Sequence, residues 1–392
     1  MVEPARPVVL ALNVGSSSLR AALRVPELRV RAHAAELSRA AGELALDGPG
    51  GGRERIALPD GWDSALPALA GALASRAPQP DVVVHRIVLG SDLLVGPRPA
   101  DGALLARLRA ESHRAPLHLP RQLDVVDRAR RCWPGARIVL CPDSGFHRQL
   151  PDEAEVLPLP PDARASGLRR WGFHGLAVQS VVDRLPDLGP AVVVHLGSGC
   201  SVTAVADGRP RHTTMAISPA GGVPSLTRSG DLDPEVVLQL LEATGGDVDA
   251  VRRTLNQRSG VAGLSGGRTD VRELLRAADA SADLALRVFV RDVAMAVAAA
   301  VTALDRWDAV VFTGGIGAGS AVVRDLVCAR LLSLRQGAAG HPGPPAAQLA
   351  ASGVRVVVEH VDEEAVMDRL ARAVLRGDAA GPDGAAPVAR PR

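Results

Sequence analysis

One pattern occurs twice in the chain and restricts the folds that it can adopt: an apolar run, a turn of small residues and a second apolar run. The first copy lies within residues 8–25 and the second within 191–207. Each copy is typical of two strands joined by a tight turn. Gly15 and Gly197 open the two turns 182 positions apart, so the chain is predicted to be internally duplicated. Hairpins that are alike by chance are the alternative.

Further strands and helices are predicted from the spacing of apolar residues. Short apolar runs bounded by Gly, Pro or polar residues predict strands at residues 8–14, 19–25, 81–89, 137–141, 309–313 and 354–359. Helical periodicity predicts helices at residues 233–243, 269–278 and 281–304. This mixture indicates an α/β fold, and 392 residues are enough for two domains.

The overall charge and the types of basic residue exclude several functions. The formal net charge is +2, which provides no field for binding nucleic acid or an anionic membrane. All 45 residues in the lysine and arginine count are arginine. The chain therefore lacks the lysine that a Schiff base or the usual phosphate loop, G-x-x-x-x-G-K-[ST], requires.

The cysteines and the apolar segments indicate the compartment. The four cysteines have neither C-x-x-C spacing nor the spacing of a disulfide framework, which favours a reducing environment. Residues 8–14 lack a signal-peptide cleavage site. Residues 293–304 are too few to span a bilayer, which takes about 20 apolar residues. We therefore expect a cytoplasmic protein without a membrane partner.

Three turns of small residues have the composition of a phosphate-binding loop. They lie in residues 13–20 (NVGSSSLR), 195–199 (HLGSG) and 314–317 (GGIG), and the last follows a predicted strand. Backbone N–H groups of small residues can point at an anion, and glycine lets a phosphate or sugar approach closely. Three such turns favour a nucleotide ligand, with three unrelated turns as the alternative.

Four charged or ionisable side chains lie where an α/β fold often places its ligand contacts. Arg86 is near the end of one predicted strand and Asp143 follows another, and open α/β sheets bind ligands at their strand ends. His174 stands between an aromatic residue and a glycine, and Arg228 precedes two acids in a turn before a helix. Each residue alone is also consistent with a structural role.

Ten sequence runs, taken together, resemble those of the acetate kinase family. In chain order they are NVGSSSLR, HRIVLG, APLH, PDSGFH, RRWGFHG, HLGSGCSVTAV, TRSGDLDPE, LNQRSGVAGLSGGRTDVREL, VFTGGIG and VRVVVEHVDEE. Their order and spacing extend from the first predicted strand to about Arg376. The resemblance implies an enzyme that moves a phosphoryl group between ATP and acetate, giving ADP and acetyl phosphate, with Mg²⁺ or Mn²⁺.

The resemblance also implies the fold and the assembly. The expected fold is α/β, a duplicated actin-like or sugar-kinase-like (ribonuclease H-like) arrangement of two domains with a central active-site cleft. Residues 1–147 and about 365–385 would form the N-terminal domain on the carboxylate and metal side. Residues 148–364 would form the C-terminal domain on the nucleotide side, and 377–392 a disordered tail. The protein would be a homodimer that binds no nucleic acid.

Four residues match the catalytic positions of the family. The resemblance implies that Arg86 holds the carboxylate and then the acyl phosphate, and that His174 and Arg228 stabilise the phosphoryl group during transfer. Asp143 matches an acidic residue that either orients the acid or acts through the metal and water. A general base is not needed, because a carboxylic acid is already ionised near neutral pH. His118 matches a further active-site histidine of open role.

The resemblance assigns other positions to ligand contacts. Asn13 and Glu363 match the magnesium positions, with Glu364 as an alternative to Glu363. The phosphate contacts would be Asn13, Ser16 and Ser18. The apolar pocket for the acyl group would be formed by Val88, Leu117, Phe173 and Pro219. The nucleotide contacts would be Arg20, His195, Leu196, Gly197, Ser198, Gly199, Asp270, Val271, Arg272, Gly315, Ile316, Gly317, Ala318 and Gly319.

Two departures from the family pattern lie among these nucleotide contacts. Ser198 stands where the family usually has Asn, and Ala318 with Gly319 replaces Glu-Asn, which leaves nucleotide affinity and the phosphoryl donor open. A propionate or butyrate kinase and a pyrophosphate-dependent kinase are therefore alternatives to acetate kinase. A non-catalytic sensor and a sugar kinase on the same fold are further alternatives, and formation of an acyl phosphate separates them from the carboxylate kinases.

Overall fold

The structure is a computed structural model that describes residues 6–15, 18–25, 28–35, 37, 42–48, 52–335 and 341–377. Ser16 and residues 378–392 of the predicted tail lie outside this part of the chain. The described residues form strands β1 (Val9–Val14), β2 (Leu19–Val25), β3 (Leu28–Ala35), β4 (Gly42–Asp47), β5 (Arg53–Leu58), β6 (Val82–Ile87), β7 (Arg98–Pro99), β8 (Arg137–Pro142), β9 (Ala191–Leu196), β10 (Cys200–Ala206), β11 (Arg209–Thr213), β12 (Ala309–Thr313) and β13 (Arg355–Val358).

The same part of the chain contains fifteen α-helices and three short 3₁₀ helices. The α-helices are α1 (Trp62–Ala74), α2 (Gly102–Ala110), α3 (Leu119–Cys132), α4 (Asp152–Glu155), α5 (Pro161–Ala165), α6 (Gly175–Arg184), α7 (Pro234–Ala243), α8 (Val248–Gln257), α9 (Gly260–Leu264), α10 (Val271–Arg276), α11 (Ala280–Val301), α12 (Gly314–Gly319), α13 (Ala321–Leu331), α14 (Pro345–Ala351) and α15 (Glu363–Arg376). The 3₁₀ helices are Ser112–Arg114, Gly145–Gln149 and Leu332–Leu334.

The chain divides into two compact units. The first unit runs up to Gly145 and resumes at Asp362, and the second unit is Phe146–Val361. The first unit contains a sheet with the strand order β5-β4-β3-β2-β1-β6-β8-β7, and the second contains a sheet with the order β11-β10-β9-β12-β13. Helix α15 therefore belongs with the first unit, although it follows the second in sequence.

The two sheets share a five-strand core. The order β3-β2-β1-β6-β8 in the first unit corresponds to β11-β10-β9-β12-β13 in the second. In both units the first three strands pair antiparallel and the remaining neighbours pair parallel. The hairpin β1–β2 thus has the same place in its sheet as the hairpin β9–β10. The predicted α/β class and internal duplication are confirmed.

The predicted strands and helices are present with small differences at their ends. Strand β6 occupies Val82–Ile87 of the predicted 81–89, and α10 occupies Val271–Arg276 of the predicted 269–278. Helix α7 begins with a proline, and the Asp233 side chain accepts a hydrogen bond from the Glu235 N–H at 2.8 Å. Within the described ranges, no helix is long and apolar enough to cross a membrane.

Three strands that widen the first sheet were not predicted from the sequence: β3, β4 and β5. In β3, Val30, Ala32 and Ala34 are buried, whereas Arg29 and Arg31 are exposed. This alternation is the ordinary signal of a strand with one buried face. The signal is visible in the sequence, but the arginines lower the apolar content of the segment, so a search for apolar runs does not detect it.

Buried strands and packed helices hold the ends of the central strands in place. Strands β1 and β12 are buried along their whole length. Helix α15 packs against β1 and β6 in the first unit, and α11 packs against β9 and β10 in the second. Rigid elements therefore hold the turns and side chains that follow these strands in position, as a binding site requires.

The four cysteines are free thiols, and burial makes Cys141 and Cys200 poor nucleophiles. Burial raises the pKa of Cys141 and of Cys200 to about 12. A thiol that stays protonated at neutral pH is a poor nucleophile. Neither residue is therefore a candidate for covalent catalysis, although Cys141 lies in β8 and Cys200 in β10 near the predicted site residues.

Candidate active site

Arg86 and Asp143 form an ion pair at the ends of two parallel strands in the first unit. The backbone N–H of Asp143 donates to the Ile87 carbonyl at 2.8 Å, and Nη2 of Arg86 lies 2.7 Å from Oδ2 of Asp143. The Asp143 side chain is 0% exposed and that of Arg86 is 14% exposed. Burial alone would lower the pKa of Arg86, but Asp143 and Glu363 raise it, so the guanidinium stays charged.

Asn13 connects this ion pair to the first turn of α15. Nη1 of Arg86 donates to Oδ1 of Asn13 at 3.3 Å. Nδ2 of Asn13 donates to Oε2 of Glu363 at 2.5 Å and to Oε1 of Glu364 at 3.3 Å. The fold of the first unit therefore brings together Asn13, Arg86, Asp143 and both glutamates, although Asn13 and Glu363 are 350 positions apart.

Glu363 and Glu364 place two carboxyl groups side by side, and their negative charges repel each other. Burial raises the pKa of Glu364, and the charge of Glu363 raises it further. Mg²⁺ prefers oxygen ligands and is usually bound by one or two carboxylates, substrate phosphates and water. Among the described residues, no group of three or more His, Cys, Asp and Glu side chains could enclose a metal by itself. The oxygen atoms of Glu363, Glu364 and Asn13 are suited to a magnesium ion whose other ligands are phosphate and water.

Asp362 fixes the position of these glutamates. Its side chain accepts the N-cap hydrogen bond from the Ala365 N–H at 2.9 Å. Arg24, Arg29 and Arg31 lie 2.6, 2.5 and 3.1 Å from its carboxylate oxygens. Although burial alone would raise the pKa of Asp362, Arg24 holds it below the ordinary value. Sequence analysis missed this residue, because its role depends on arginines from β2 and β3.

His174 begins helix α6 in the second unit and has an unusual backbone conformation. Its φ is +58°, in the left-handed region that residues other than glycine rarely adopt. Nδ1 of the ring lies 3.0 Å from Oγ of Ser201, and the ring centroid lies 4.6 Å from that of His195. The surrounding structure therefore holds the imidazole in one orientation. Ser201 is a further contact that sequence analysis missed.

Arg228 and His174 each direct a nitrogen atom toward the backbone at Gly199. A Cβ atom at this glycine would lie 2.7 Å from Nη1 of Arg228 and 3.2 Å from Nε2 of His174. Nη1 of Arg228 also donates to the Pro219 carbonyl at 3.1 Å, which orients the guanidinium. Glycine at this position therefore allows the two nitrogens to converge, because a side chain would collide with them. The second unit thus brings together three predicted site residues.

Two of the predicted glycine-rich turns are neighbours in the second unit. The Gly197 N–H donates to the Gly199 carbonyl at 3.0 Å, which closes the β9–β10 turn. Gly314 has φ +80°, and a Cβ there would lie only 2.4 Å from the Leu196 carbonyl oxygen. A Cβ at Gly197 would lie 3.9 Å from the backbone nitrogen of Gly315. Glycine is required at position 314, whereas a Cβ at Gly197 would make only ordinary contacts.

The other predicted nucleotide contacts have varied surroundings. Asp270 is the N-cap of α10 and pairs with Arg272, whose side chain is 79% exposed; the hydrogen bond from Arg272 lowers the pKa of Asp270. Arg324 donates to the carbonyls of Gly317 and Ala318 at 2.9 and 2.8 Å. These contacts are those of helix ends, and a nucleotide role for these segments stays a prediction.

The four predicted pocket residues divide equally between the units. Val88 is buried in the first unit and donates through its N–H to Gln122 at 2.9 Å, and Leu117 is half-buried. Phe173 is 1% exposed in the second unit, beside His174, and Pro219 binds Arg228 through its carbonyl. Val88 and Phe173 therefore also serve as core residues of their own units.

The remaining first-unit predictions lie in β2, in the β1–β2 turn and at the start of α3. Arg20 is opposite Asn13 in the register of β1 and β2, and its side chain is exposed. The Gly15 N–H donates to the Ser18 carbonyl at 2.9 Å, which closes the β1–β2 turn as the corresponding bond closes the β9–β10 turn. His118 is the N-cap residue of α3 and is half-buried.

The duplicated sheets, with glycine-rich turns and cationic side chains at their strand ends, place the chain among two-unit α/β phosphotransferases. A profile described as the Acetokinase family matches residues 8–366. The chain belongs to the acetokinase family.

Individual relatives cover most of the chain. An acetate kinase of Deinococcus deserti is 35% identical over 392 aligned positions, which cover 94% of this chain and 98% of the relative. A propionate kinase of Klebsiella pneumoniae is 35% identical, over 83% of this chain and 84% of the relative. The crystal structure of a propionate kinase from Francisella tularensis superposes with a TM-score of 0.83 at 25% identity, covering 93% of this chain and 99% of that one.

Proposed function

We propose that the protein is an acetate kinase that catalyses reversible transfer of a phosphoryl group from ATP to acetate, with Mg²⁺. An oxygen of acetate attacks the terminal phosphorus of ATP, the bond from phosphorus to the bridging oxygen breaks, and acetyl phosphate and ADP are formed. This direct transfer makes little covalent demand on the protein, so the residues act by positioning the reactants and by neutralising charge. The family membership and the geometry at Gly199 support the proposal.

The convergence of Arg228 and His174 at Gly199 is the observation that carries the proposal. Each side chain brings one nitrogen close to this backbone position. A transition state is stabilised by preorganised donors about 2.7–3.1 Å from the oxygen on which negative charge develops. The two side chains are the proposed donors to the equatorial oxygens of the moving phosphoryl group. Arginine suits this task, because its charge is permanent and its fork offers several N–H donors.

The first unit supplies the contacts that we propose for the acid. Arg86 is charged, 14% exposed and oriented by Asp143, so it can offer further N–H groups to a carboxylate. Asp143 acts as a positioning residue for Arg86 rather than as a base, since acetate is already ionised. Val88 and Leu117 are the residues of this unit that we propose to contact the methyl group.

Asn13, Glu363 and Glu364 are the proposed magnesium contacts. When bound, the ion would neutralise phosphate charge during transfer. Replacing Glu363 by glutamine keeps the size of the side chain and removes one carboxylate, so the Mg²⁺ concentration for half-maximal activity is expected to rise at least about tenfold. A Mg²⁺ titration at saturating ATP and acetate measures the change. Glu153→Gln, an exposed glutamate in the first turn of α4, is the matched control. An unchanged requirement in Glu363→Gln would remove Glu363 from the metal site.

The two neighbouring turns of the second unit are the proposed contacts of the nucleotide. Glycine leaves the backbone of these turns free of side chains, as phosphate approach requires; the glycines are Gly197, Gly199 and Gly315. Ser198 is exposed in the β9–β10 turn and Ala318 is half-buried in α12. Both residues depart from the family pattern, so pyrophosphate belongs beside ATP among the donors to be tested.

Propionate is the second candidate acid. The Klebsiella propionate kinase and the Deinococcus acetate kinase are equally similar to the chain, at 35% identity. One additional methylene in an apolar pocket changes specificity by only about 1–3 kcal/mol. The comparison of kcat/KM for acetate, propionate and butyrate therefore decides the physiological acid among these candidates.

Hydroxylamine trapping of the acyl phosphate tests the proposed activity directly. Purified protein with Mg²⁺, ATP and acetate is expected to produce acetyl hydroxamate, and more slowly or not at all with a sugar as acceptor. Binding of ATP and acetate without hydroxamate in either reaction direction would identify a sensor instead. Turnover of a hydroxyl acceptor alone would identify a sugar kinase.

Adding a methyl group at Gly199 tests how phosphoryl transfer is stabilised. The φ of Gly199 lies outside the left-handed region, so alanine adds a methyl group without backbone strain. Because that methyl would lie 2.7 Å from Nη1 of Arg228 and displace the guanidinium, kcat of Gly199→Ala is expected to fall about 100-fold. Gly71→Ala, where a Cβ meets nothing within 4 Å, is the control. Equal kcat values in the two variants would contradict the proposed role of Arg228 and His174.

We also propose a cytoplasmic homodimer that associates through α7. This helix contains no buried residue, and Val236 and Leu238 are 41% and 53% exposed. Leu232 and Val248 nearby in sequence are 43% and 55% exposed. Exposed apolar side chains grouped in this way are typical of a protein–protein contact. Light scattering of the wild type and of Leu238→Glu is expected to give a dimer and a monomer, respectively.

A further inference from the structure

Ser201 stands out as a buried hydroxyl in contact with the proposed transition-state histidine. It lies in β10, opposite His195 in the register of β9 and β10, and is 1% exposed. Its Oγ lies 3.0 Å from Nδ1 of His174. Nε2, the other ring nitrogen, faces Gly199, where a Cβ atom would lie 3.2 Å from it. Ser201 therefore controls the environment of the nitrogen that does not face the phosphoryl group.

The chemistry of a hydroxyl makes this contact useful in both charge states of the ring. A serine can donate or accept a hydrogen bond. When His174 is neutral, Ser201 can donate to Nδ1, and the ring hydrogen then resides on Nε2. When His174 is charged, Nδ1 donates to Ser201 and Nε2 also carries a hydrogen. Nε2 is thus a donor to an anionic oxygen in either state, without the loss of the hydrogen bond at Nδ1.

We propose that Ser201 is a positioning residue that maintains His174 as an Nε2–H donor throughout the neutral pH range. The assignment rests on the proposed phosphoryl transfer, because it explains how His174 contributes when it is uncharged. The left-handed backbone of His174 supports it, since strained backbone persists only where the surrounding structure imposes a particular side-chain orientation. The ionisable side chains that face the ring include His195 from β9 and Arg228 from the segment before α7.

Ser201→Ala is expected to alter the pH dependence of the reaction. Without the hydroxyl, a neutral ring with hydrogen on Nε2 loses the donor that Ser201 supplies to Nδ1, so this tautomer becomes less favourable. The charged ring also loses its contact with Ser201, but it keeps a hydrogen on Nε2. The kcat of Ser201→Ala is expected to be about tenfold below wild type near pH 8 and to approach it near pH 6, with the KM values for ATP and acetate nearly unchanged.

Thr203→Val is the matched control on the same strand face. Thr203 is 0% exposed, and its hydroxyl pairs with that of Thr213 at 3.0 Å rather than with a histidine. This variant also removes a buried hydroxyl from β10, and its ratio of kcat to wild type is expected to be constant with pH. A pH-independent defect in Ser201→Ala, or the same pH-dependent defect in Thr203→Val, would overturn the proposal.

A spectroscopic measurement tests the tautomer independently of turnover. In protein labelled with ¹⁵N-histidine, the His174 signals are assigned by their loss in His174→Gln. Near pH 8 the wild type is expected to show hydrogen on Nε2, and Ser201→Ala a shift toward hydrogen on Nδ1. Identical tautomer signals in both proteins would refute the role of Ser201. Failure of the phosphoryl-transfer proposal is distinguishable, because wild-type protein would then form no hydroxamate and His174→Ala would have no kinetic effect.

Discussion

Replacing Arg228 by alanine is expected to lower kcat for acyl phosphate formation by about 1,000-fold, with a much smaller change in the KM for ATP. The site at Gly199 would lose the N–H groups of the guanidinium, whose Nη1 lies 2.7 Å from the position of a Cβ atom at this glycine. The effect concerns the transition state because negative charge shifts on the phosphoryl oxygens during transfer. Initial rates by hydroxylamine trapping, at saturating ATP and acetate, measure the change.

Two further variants identify which property of Arg228 matters. Arg228→Lys keeps the charge but removes the fork, and it is expected to recover only part of the lost activity. Arg211→Ala, in which a half-exposed arginine paired with Asp207 is removed from the same unit, is the control and is expected to retain wild-type rates. If Arg228→Ala mainly raises the KM for ATP and leaves kcat intact, Arg228 binds the donor and does not stabilise the transition state.

Replacing Asp143 by alanine is expected to destabilise the first unit by about 3–5 kcal/mol, because it leaves the charge of Arg86 in a largely buried position without its partner. Activity is expected to fall as well, since Asp143 orients Arg86. Asp47→Ala breaks an exposed ion pair with Arg53 and is expected to cost less than about 1 kcal/mol. Urea denaturation, followed by tryptophan fluorescence, gives the two free energies of unfolding.

The double variant Arg86→Met with Asp143→Leu separates stability from function. Two apolar side chains of similar size can replace a buried ion pair with little loss of stability or even a gain. The double variant is therefore expected to recover most of the stability lost in Asp143→Ala and to remain inactive with acetate. Recovery of activity together with stability would show that neither charge takes part in the reaction.

Much of the fold follows from local patterns in the chain. The runs around Gly15 and Gly197 predict two hairpins, and both hairpins are present with the same position in their sheets. Proline at the start of α7 and the acids around it predict that helix boundary. These features are local, since a turn or a cap depends on residues within a few positions of one another. Strand β3 was not predicted, because the arginines on its exposed face lower the apolar content of the segment.

The candidate site was predictable as residue types and only partly as a geometry. Arg86 and Asp143 follow from their places at strand ends and from the family resemblance. These two residues are 57 positions apart, and they meet because β6 and β8 are parallel neighbours in the sheet. The choice between Glu363 and Glu364 was open in the sequence, and the structure places both beside Asn13, at 2.5 and 3.3 Å.

The sequence by itself determined the α/β class, the duplication, the glycine-rich turns and the family, because periodicity and motif spacing are properties of the linear chain. Only the tertiary structure decided that Asn13 contacts α15 and that Ser201 contacts His174. It also decided that Arg228 and His174 converge on Gly199. These are contacts between elements distant in sequence, and the packing of helices on the two sheets determines them. No local pattern encodes a distance between such elements.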